Sequence, residues 1–167
     1  MPENPMPRQL HRPRADGRLI RLVDGQPCLA ADDWELLAPG ASAGSRHPIL
    51  HLASWALRPR GRACGLWMEP DDDVEAAAGC LDEAALVAVR FPSFRDARGL
   101  SVAHRLRRQH GWGGELRAVG DVLCGQLRQM RRCGFDSFAL AAGQVPEAAL
   151  KALAARGRPH SPQRSTP

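Results

Sequence analysis

Tyrosine is missing from this 167-residue sequence, and of its 23 basic residues only Lys151 is a lysine. Abundant arginine and alanine with so little lysine is what GC-rich coding produces. The formal charge of +5 is therefore weak evidence for an anionic partner. Several arginines also lie near the two ends (Arg8, Arg12, Arg14, Arg156, Arg158 and Arg164), where they need no folded role. Nucleic acid is not an expected partner. No apolar run approaches the ~20 residues of a membrane-spanning helix. Met1-Pro-Glu-Asn-Pro-Met-Pro lacks the basic-then-apolar order of a secretory signal. A cytoplasmic protein without a membrane partner is the expectation. Cysteine is present but unorganised. Cys28, Cys64, Cys80, Cys124 and Cys133 form no Cys-x-x-Cys pair, and no nearby histidine completes a zinc or iron–sulfur set. They read as free thiols, with no intrinsic metal motif and the cofactor unknown. No Ser-His-Asp order, Gly-x-Gly-x-x-Gly or Walker-type loop occurs.

What is present is ordinary for one globular core: 44% hydrophobic and 25% charged residues. Residues 1–16 and 157–167 are rich in Pro and Arg without hydrophobic periodicity and read as disordered tails around a domain spanning 17–156. That domain opens with Leu19-Ile-Arg-Leu-Val, then Asp24-Gly25, then Pro27-Cys-Leu-Ala, which predicts a small β-hairpin because both turn residues tolerate positive φ. Asp32-Asp33-Trp34-Glu35 reads as a capped helical turn or short connection, and Pro39-Gly-Ala-Ser-Ala-Gly-Ser as a flexible linker.

Beyond Pro48, short apolar runs alternate with helical patterns. Strands are expected at 49–52, 63–68, 86–91, 115–119 and 135–140. Helices are expected at 54–57, 73–81, 99–110, from Asp121 to Gly134, and at 146–155. About five βα units imply an α/β fold with a mainly parallel sheet, either open and doubly wound or a partial TIM-like barrel.

In either architecture ligands bind at the C-terminal edge of the strands, which selects the loops at Glu69-Pro-Asp-Asp-Asp, Pro92-Ser-Phe-Arg-Asp-Ala-Arg-Gly-Leu-Ser and Gly120-Asp121. The second loop places Arg95 and Arg98 before a helix start, with Ser101 in its first turn. Two guanidinium forks, a hydroxyl and free amides suit a sulfate, phosphate or carboxylate. Asp96 could orient the arginines or act as a general base; equally, Asp96 and Ser101 could serve only to start the helix. Arg117 stands inside an apolar strand, where a charge needs a partner, with Asp96 or Asp121 as the candidates; the alternative is an edge position from which it reaches water. Asp121 is expected to cap the following helix. His104, among Arg105, Arg107 and Arg108, reads as surface.

Phe91-Pro-Ser-Phe-Arg-Asp-Ala-Arg-Gly-Leu-Ser-Val-Ala, Gly114-Glu-Leu-Arg-Ala-Val-Gly-Asp-Val-Leu, Gln126-Leu and Arg132-Cys-Gly-Phe-Asp-Ser-Phe together resemble a bacterial domain-of-unknown-function family, number nine-three-four. The resemblance implies gene neighbourhoods beside the assimilatory nitrite/sulfite reductase haemoprotein and carries an oxidoreductase label without established catalytic residues. Phe94, Asp96, Arg98, Gly99, Ser101, Arg117, Gly120, Asp121 and Gln126 match as motif positions only. Ala97 and Leu100 replace a glycine and an aromatic residue of the pattern, and Cys124-Gly125 replaces Arg-Asp. Whether the altered positions preserve activity is open.

Three readings follow. The first is an accessory protein of assimilatory sulfite and sulfate reduction, with the reductase haemoprotein as partner. The second is a small-molecule enzyme or binder, with Asp96 and Asp121 as candidate catalytic groups and an anionic ligand on Arg95, Arg98, Ser101 and Arg117. The third, least supported, is a nucleic-acid module using arginines of two helices, Arg105, Arg107, Arg108, Arg128, Arg131 and Arg132.

Overall fold

A computed structural model describes residues 18–41 and 46–155. The expected disordered tails, and residues 42–45 of the expected linker, lie outside the described residues.

The Asp24-Gly25 turn joins β1 (Arg18–Val23) to β2 (Gln26–Ala31), which pair antiparallel in full register. Both turn residues take positive φ, 49° and 76°. Six further strands follow: β3 (Glu35–Leu36), β4 (Pro48–His51), β5 (Gly65–Met68), β6 (Leu86–Phe91), β7 (Glu115–Gly120) and β8 (Ser137–Phe138). They pair parallel, each with the next, while β1 closes onto β8 antiparallel. The order across the sheet is β2-β1-β8-β7-β6-β5-β4-β3. Strand order never reverses along β3 to β8, so the doubly wound alternative is not the one adopted. The sheet is instead a curled half-barrel. The parallel part also has one strand more than expected. Glu35–Leu36, read from sequence as part of a turn or connection, is the sixth, and two residues are too few to display a strand period.

The helices are α1 (Val74–Ala78), α2 (Arg98–Arg108), α3 (Leu127–Cys133) and α4 (Pro146–Ala154). All four pack on one face of the sheet. Val74, Ala77, Val102, Ala103, Leu106, Leu127, Met130, Ala149 and Leu153 meet Leu50, Leu66, Met68, Val87, Val89, Leu116, Ala118 and Phe138 in one buried cluster. Along each central strand the alternate residues therefore point to the opposite, concave face. There Ile49, Trp67, Leu86, Ala88, Val119 and Ala139 form a second buried cluster, against which Trp34 and Leu36 pack.

This second cluster explains why the strands lack alternation: both faces are covered, one by helices and one by the chain's own connection between sheet edges. Residues 32–37 run from β2 at one edge to β3 at the other, across the concave face. The Asp32 carboxylate accepts the Trp34 amide at 3.2 Å, shaping the entry to this strap. At its far end the Leu37 carbonyl accepts the buried Trp67 indole N–H at 2.8 Å. The strap replaces what the missing half of a barrel would supply.

At the C-terminal end of β7, Gly120 has φ 93°, and a Cβ there would lie 2.4 Å from the Phe91 carbonyl oxygen. That oxygen accepts the Asp121 amide at 2.8 Å. Gly120→Ala therefore combines a left-handed backbone with a backbone clash. It should lower stability by at least about 2 kcal/mol in urea unfolding. An unchanged unfolding midpoint would show that β6 and β7 do not approach this closely.

Candidate functional site

The loop between β6 and α2 folds back on itself, with the Asp96 amide donating to the Ser93 carbonyl at 2.9 Å. Asp96 then accepts the Arg98 amide at 3.1 Å and, through both oxygens, its guanidinium at 2.9 and 2.6 Å. The side-chain and backbone hydrogen bonds from Arg98 hold the Asp96 carboxyl down at about 2. A general base working near neutral pH needs the opposite adjustment. Asp96 in turn raises the Arg98 pKa, with smaller contributions from Asp71 and Glu69 on the neighbouring loop. Arg98 is thus committed to a carboxylate. Ser101 is exposed in the first turn of α2.

Phe94, two residues earlier, is held by both of its peptide groups. Its amide donates to Asp121 Oδ2 at 2.7 Å, and its carbonyl accepts Gln126 Nε2 at 2.5 Å. The ring, so fixed, is 45% exposed. The Arg95 guanidinium lies 5.4 Å from its centroid and has no carboxylate partner among the described residues. Asp121 therefore does not cap a helix. A 3₁₀ turn begins at Cys124, whose amide is taken by Gln144 Oε1 at 2.8 Å, and α3 follows from Leu127. Asp121 is spent on the neighbouring loop, which nothing local in sequence reveals.

A cavity of about 30 Å³ opens beneath this loop, lined by Phe91, Phe94, Ala97, Leu100, Gln126 and Met130 among others. Two of the altered motif positions, Ala97 and Leu100, lie in its wall. Gln126 Oε1 is buried there without a partner. The other altered positions do different work: Cys124 supplies the amide held by Gln144, and Gly125 is exposed with open space around it.

Further along the same sheet edge the Glu69-Pro-Asp-Asp-Asp loop, one of the three that the sequence selects, joins Arg90 and His51, which it does not. Glu69 pairs with Arg90 at 2.6 Å. Asp72 Oδ2 accepts the Glu69 amide at 2.7 Å and faces His51 Nε2 at 3.0 Å. His51 Nδ1 accepts the Ala53 amide at 3.1 Å, which places the imidazole proton on Nε2, directed at Asp72. Arg90 carried the same signal as Arg117, an arginine inside an apolar strand. His51 gave no signal beyond its place at a strand end.

Arg117 is elsewhere. It points to the concave face, 1% exposed, and its guanidinium donates to Asp32 Oδ1 at 2.8 Å and to Glu115 Oε1 at 3.1 and 2.8 Å. The expected partners, Asp96 and Asp121, are engaged at the loop instead. Glu115 also accepts the Ser137 hydroxyl at 2.8 Å and Arg21 at 3.2 Å. The space beside Arg117, bounded by Asp32, Trp34, Leu36, Ile49, Val119 and Ala139, is about 20 Å³, room for about one water. Arg95, Arg98 and Ser101 thus share one loop and helix start, and Arg117 does not join them.

The helix arginines are largely committed as well. Arg105 binds Glu75, and Arg107 donates to the Gly134, Trp112 and Gly114 carbonyls and to Asp136. Among the described residues no three His, Cys, Asp or Glu side chains are grouped to hold a metal ion, and no helix is long and apolar enough to cross a membrane. All five cysteines are free, and burial pushes the Cys64 and Cys80 thiols up.

Removing the Arg117 guanidinium would leave Asp32 without its cation and Glu115 with Arg21 and the Ser137 hydroxyl alone. Arg117→Leu should cost about 3–5 kcal/mol in urea unfolding, and a loss below about 1 kcal/mol would contradict a buried pair. Glu115 adds a pH dependence. Burial pushes its carboxyl up, but Arg117, the Ser137 hydroxyl and Arg21 more than offset this, so it titrates below its ordinary 4.5. A lowered folded pKa gives stability that is complete above the unfolded value and lost as pH falls through the folded one. Asp136 acts in reverse: burial raises its carboxyl above the ordinary 3.8, so its ionised form costs stability. Glu115→Gln should therefore flatten the loss of stability below about pH 4.5, measured as urea midpoint against pH. A slope equal to that of the parent would remove Glu115 from the account.

No curated protein and no solved structure matches this chain. A family model, described as bacterial protein of unknown function (DUF934), matches residues 65–165, which include β5 to β8, all four helices and the whole Phe94 loop. The chain belongs to this bacterial family.

Proposed function

We propose that this protein is an accessory factor of assimilatory sulfite and sulfate reduction that works by docking to a protein partner, the reductase haemoprotein, through Phe94 and Arg95. The observation that carries the docking part is the Phe94 peptide. Its N–H and C=O are both tied down by side chains from the next loop, while the residue stays 45% exposed. Rigid, exposed aromatics beside an arginine are the residues that dominate binding energy at protein interfaces, because little side-chain entropy is lost when they are covered. The sulfur assignment rests on the family resemblance alone.

Small-molecule turnover at this edge has less support. The cavity there, about 30 Å³, and the space beside Arg117 on the concave face, about 20 Å³, are an order of magnitude below the roughly 300–1,000 Å³ of metabolite sites. An oxyanion site on Arg95, Arg98, Ser101 and Arg117 has lost Arg98 to Asp96 and Arg117 to the concave face. Arg95 alone keeps an uncompensated charge.

The test is retention of the reductase haemoprotein, followed by its haem absorbance, on the tagged full chain from cells grown with sulfate as sole sulfur source. Phe94→Ala should weaken retention at least tenfold, with an unchanged melting temperature because the ring is exposed. Equal retention by parent and variant would rule out this contact. Normal growth of a deletion strain on sulfate would overturn the pathway assignment independently.

A further inference from the structure

Seven of the described arginines bind a carboxylate. The three on α3 do not. Arg128 donates to the Ala152 and Ala155 carbonyls at 2.8 and 2.5 Å, at the C-terminal end of α4. Arg131 donates to the Leu153 carbonyl at 3.2 Å and to the Gly25 carbonyl, in the β1–β2 turn, at 2.8 Å. Arg132, exposed on the rim, has no partner among the described residues. The three line one groove with Gly25, Pro27 and Leu153, and among the described residues no Asp or Glu contributes to its wall.

Carbonyl acceptors fix a guanidinium without cancelling its charge. Arg128 and Arg131 are therefore preorganised cations, each with N–H groups left over after its carbonyl bonds. Their placement at the negative end of α4 accounts for part of that charge, but Arg132 reaches neither α4 nor any carboxylate. The spacing i, i+3, i+4 puts all three on one face of the helix.

We propose that this face of α3, with the end of α4 and the β1–β2 turn, is a docking surface for an acidic segment of a partner protein. The charge calls for carboxylates, and Pro27 and Ala154 along the groove call for apolar side chains between them. No aromatic residue lines the groove, so the stacking platform that single-stranded nucleic acid uses is absent from this wall. The surface is distinct from the Phe94 edge, and either contact can fail without the other.

The probe is a fluorescein-labelled peptide of repeated Glu-Glu-Leu, titrated with the full chain and followed by anisotropy at several salt concentrations. Arg132→Glu should weaken binding about tenfold, whereas Arg108→Glu, the same charge change at an exposed position of α2, should change it less than twofold. Equal effects of the two variants would reduce the binding to net charge and overturn the proposal. Binding untouched by Arg132→Glu would place it on other basic residues and overturn it equally. Arg132→Gln provides the same test should the charge reversal lower the melting temperature. A labelled oligouridylate bound more tightly than the peptide at equal salt, and lost in Arg132→Glu, would make this a nucleic-acid surface instead.

Discussion

The guanidinium of Arg117, buried between Asp32 and Glu115, ties together parts of the chain that are distant in sequence. A curled sheet with helices on one side leaves its concave side bare. Here that side carries Ile49, Trp67, Leu86, Ala88, Val119 and Ala139, an apolar surface that water would otherwise wet. The strap of residues 32–37 covers it with Trp34 and Leu36, and Asp32 fastens the strap to the middle of β7. Glu115 extends the link sideways, to Ser137 on β8 and Arg21 on β1, so the antiparallel pair at the N-terminus is secured to the parallel strands by charge as well as by backbone pairing. Two arginines face two carboxylates, which is why such a group can be taken out of water at all.

The same economy governs the loop that carries the family motif. Residues that in another setting would do chemistry are occupied in building a frame. Asp121 and Gln126 hold the two peptide groups that flank Phe94, Asp96 holds Arg98 and the first amide of α2, and Asp72 holds His51 and the Glu69 amide of its own loop. Once each polar group is assigned, what faces outward at this edge is the Phe94 ring and the Arg95 charge. A motif made of framing residues keeps a surface in one shape, and this favours recognition over turnover.

Much of the frame was legible because it depends on local patterns. Unbroken apolar runs marked the buried strands, Asp24-Gly25 marked the turn between antiparallel strands, and Gly134 marked the end of α3. The family tag was legible because its motifs are long and contiguous. Pairings between distant residues were not. Asp32 and Arg117 are 85 positions apart, and Phe94 and Asp121 are 27 apart. Asp next to a helical pattern reads as a cap when only neighbours are considered, and Asp121 satisfied that pattern while its side chain went to another loop. For the strand arginine the sequence leaves two readings open, a buried pair and an edge position, and for the pair the neighbouring loops offer only Asp96 and Asp121. Of its true partners, Glu115 stands two positions away on the same strand, and Asp32 lies across the domain's first linker, in a segment whose two-residue strand is too short to show any period.

Net charge illustrates the difference between composition and placement. The excess of arginine that GC-rich coding explains is not distributed at random in the fold. Several folded arginines are neutralised in place by a carboxylate, as Arg21, Arg90, Arg98 and Arg117 are. A surplus of +5 summed over the whole chain says nothing about which cations remain available to a partner. Geometry does: a guanidinium bonded to carbonyls retains its full charge, whereas one bonded to Asp or Glu presents almost none beyond a Debye length. The arginines of α3 belong to the first kind and those at the strand interiors to the second. Coding bias supplied arginine widely, and the carboxylates placed opposite those of the strands and of α2 are not matched on α3, whose three arginines share one face.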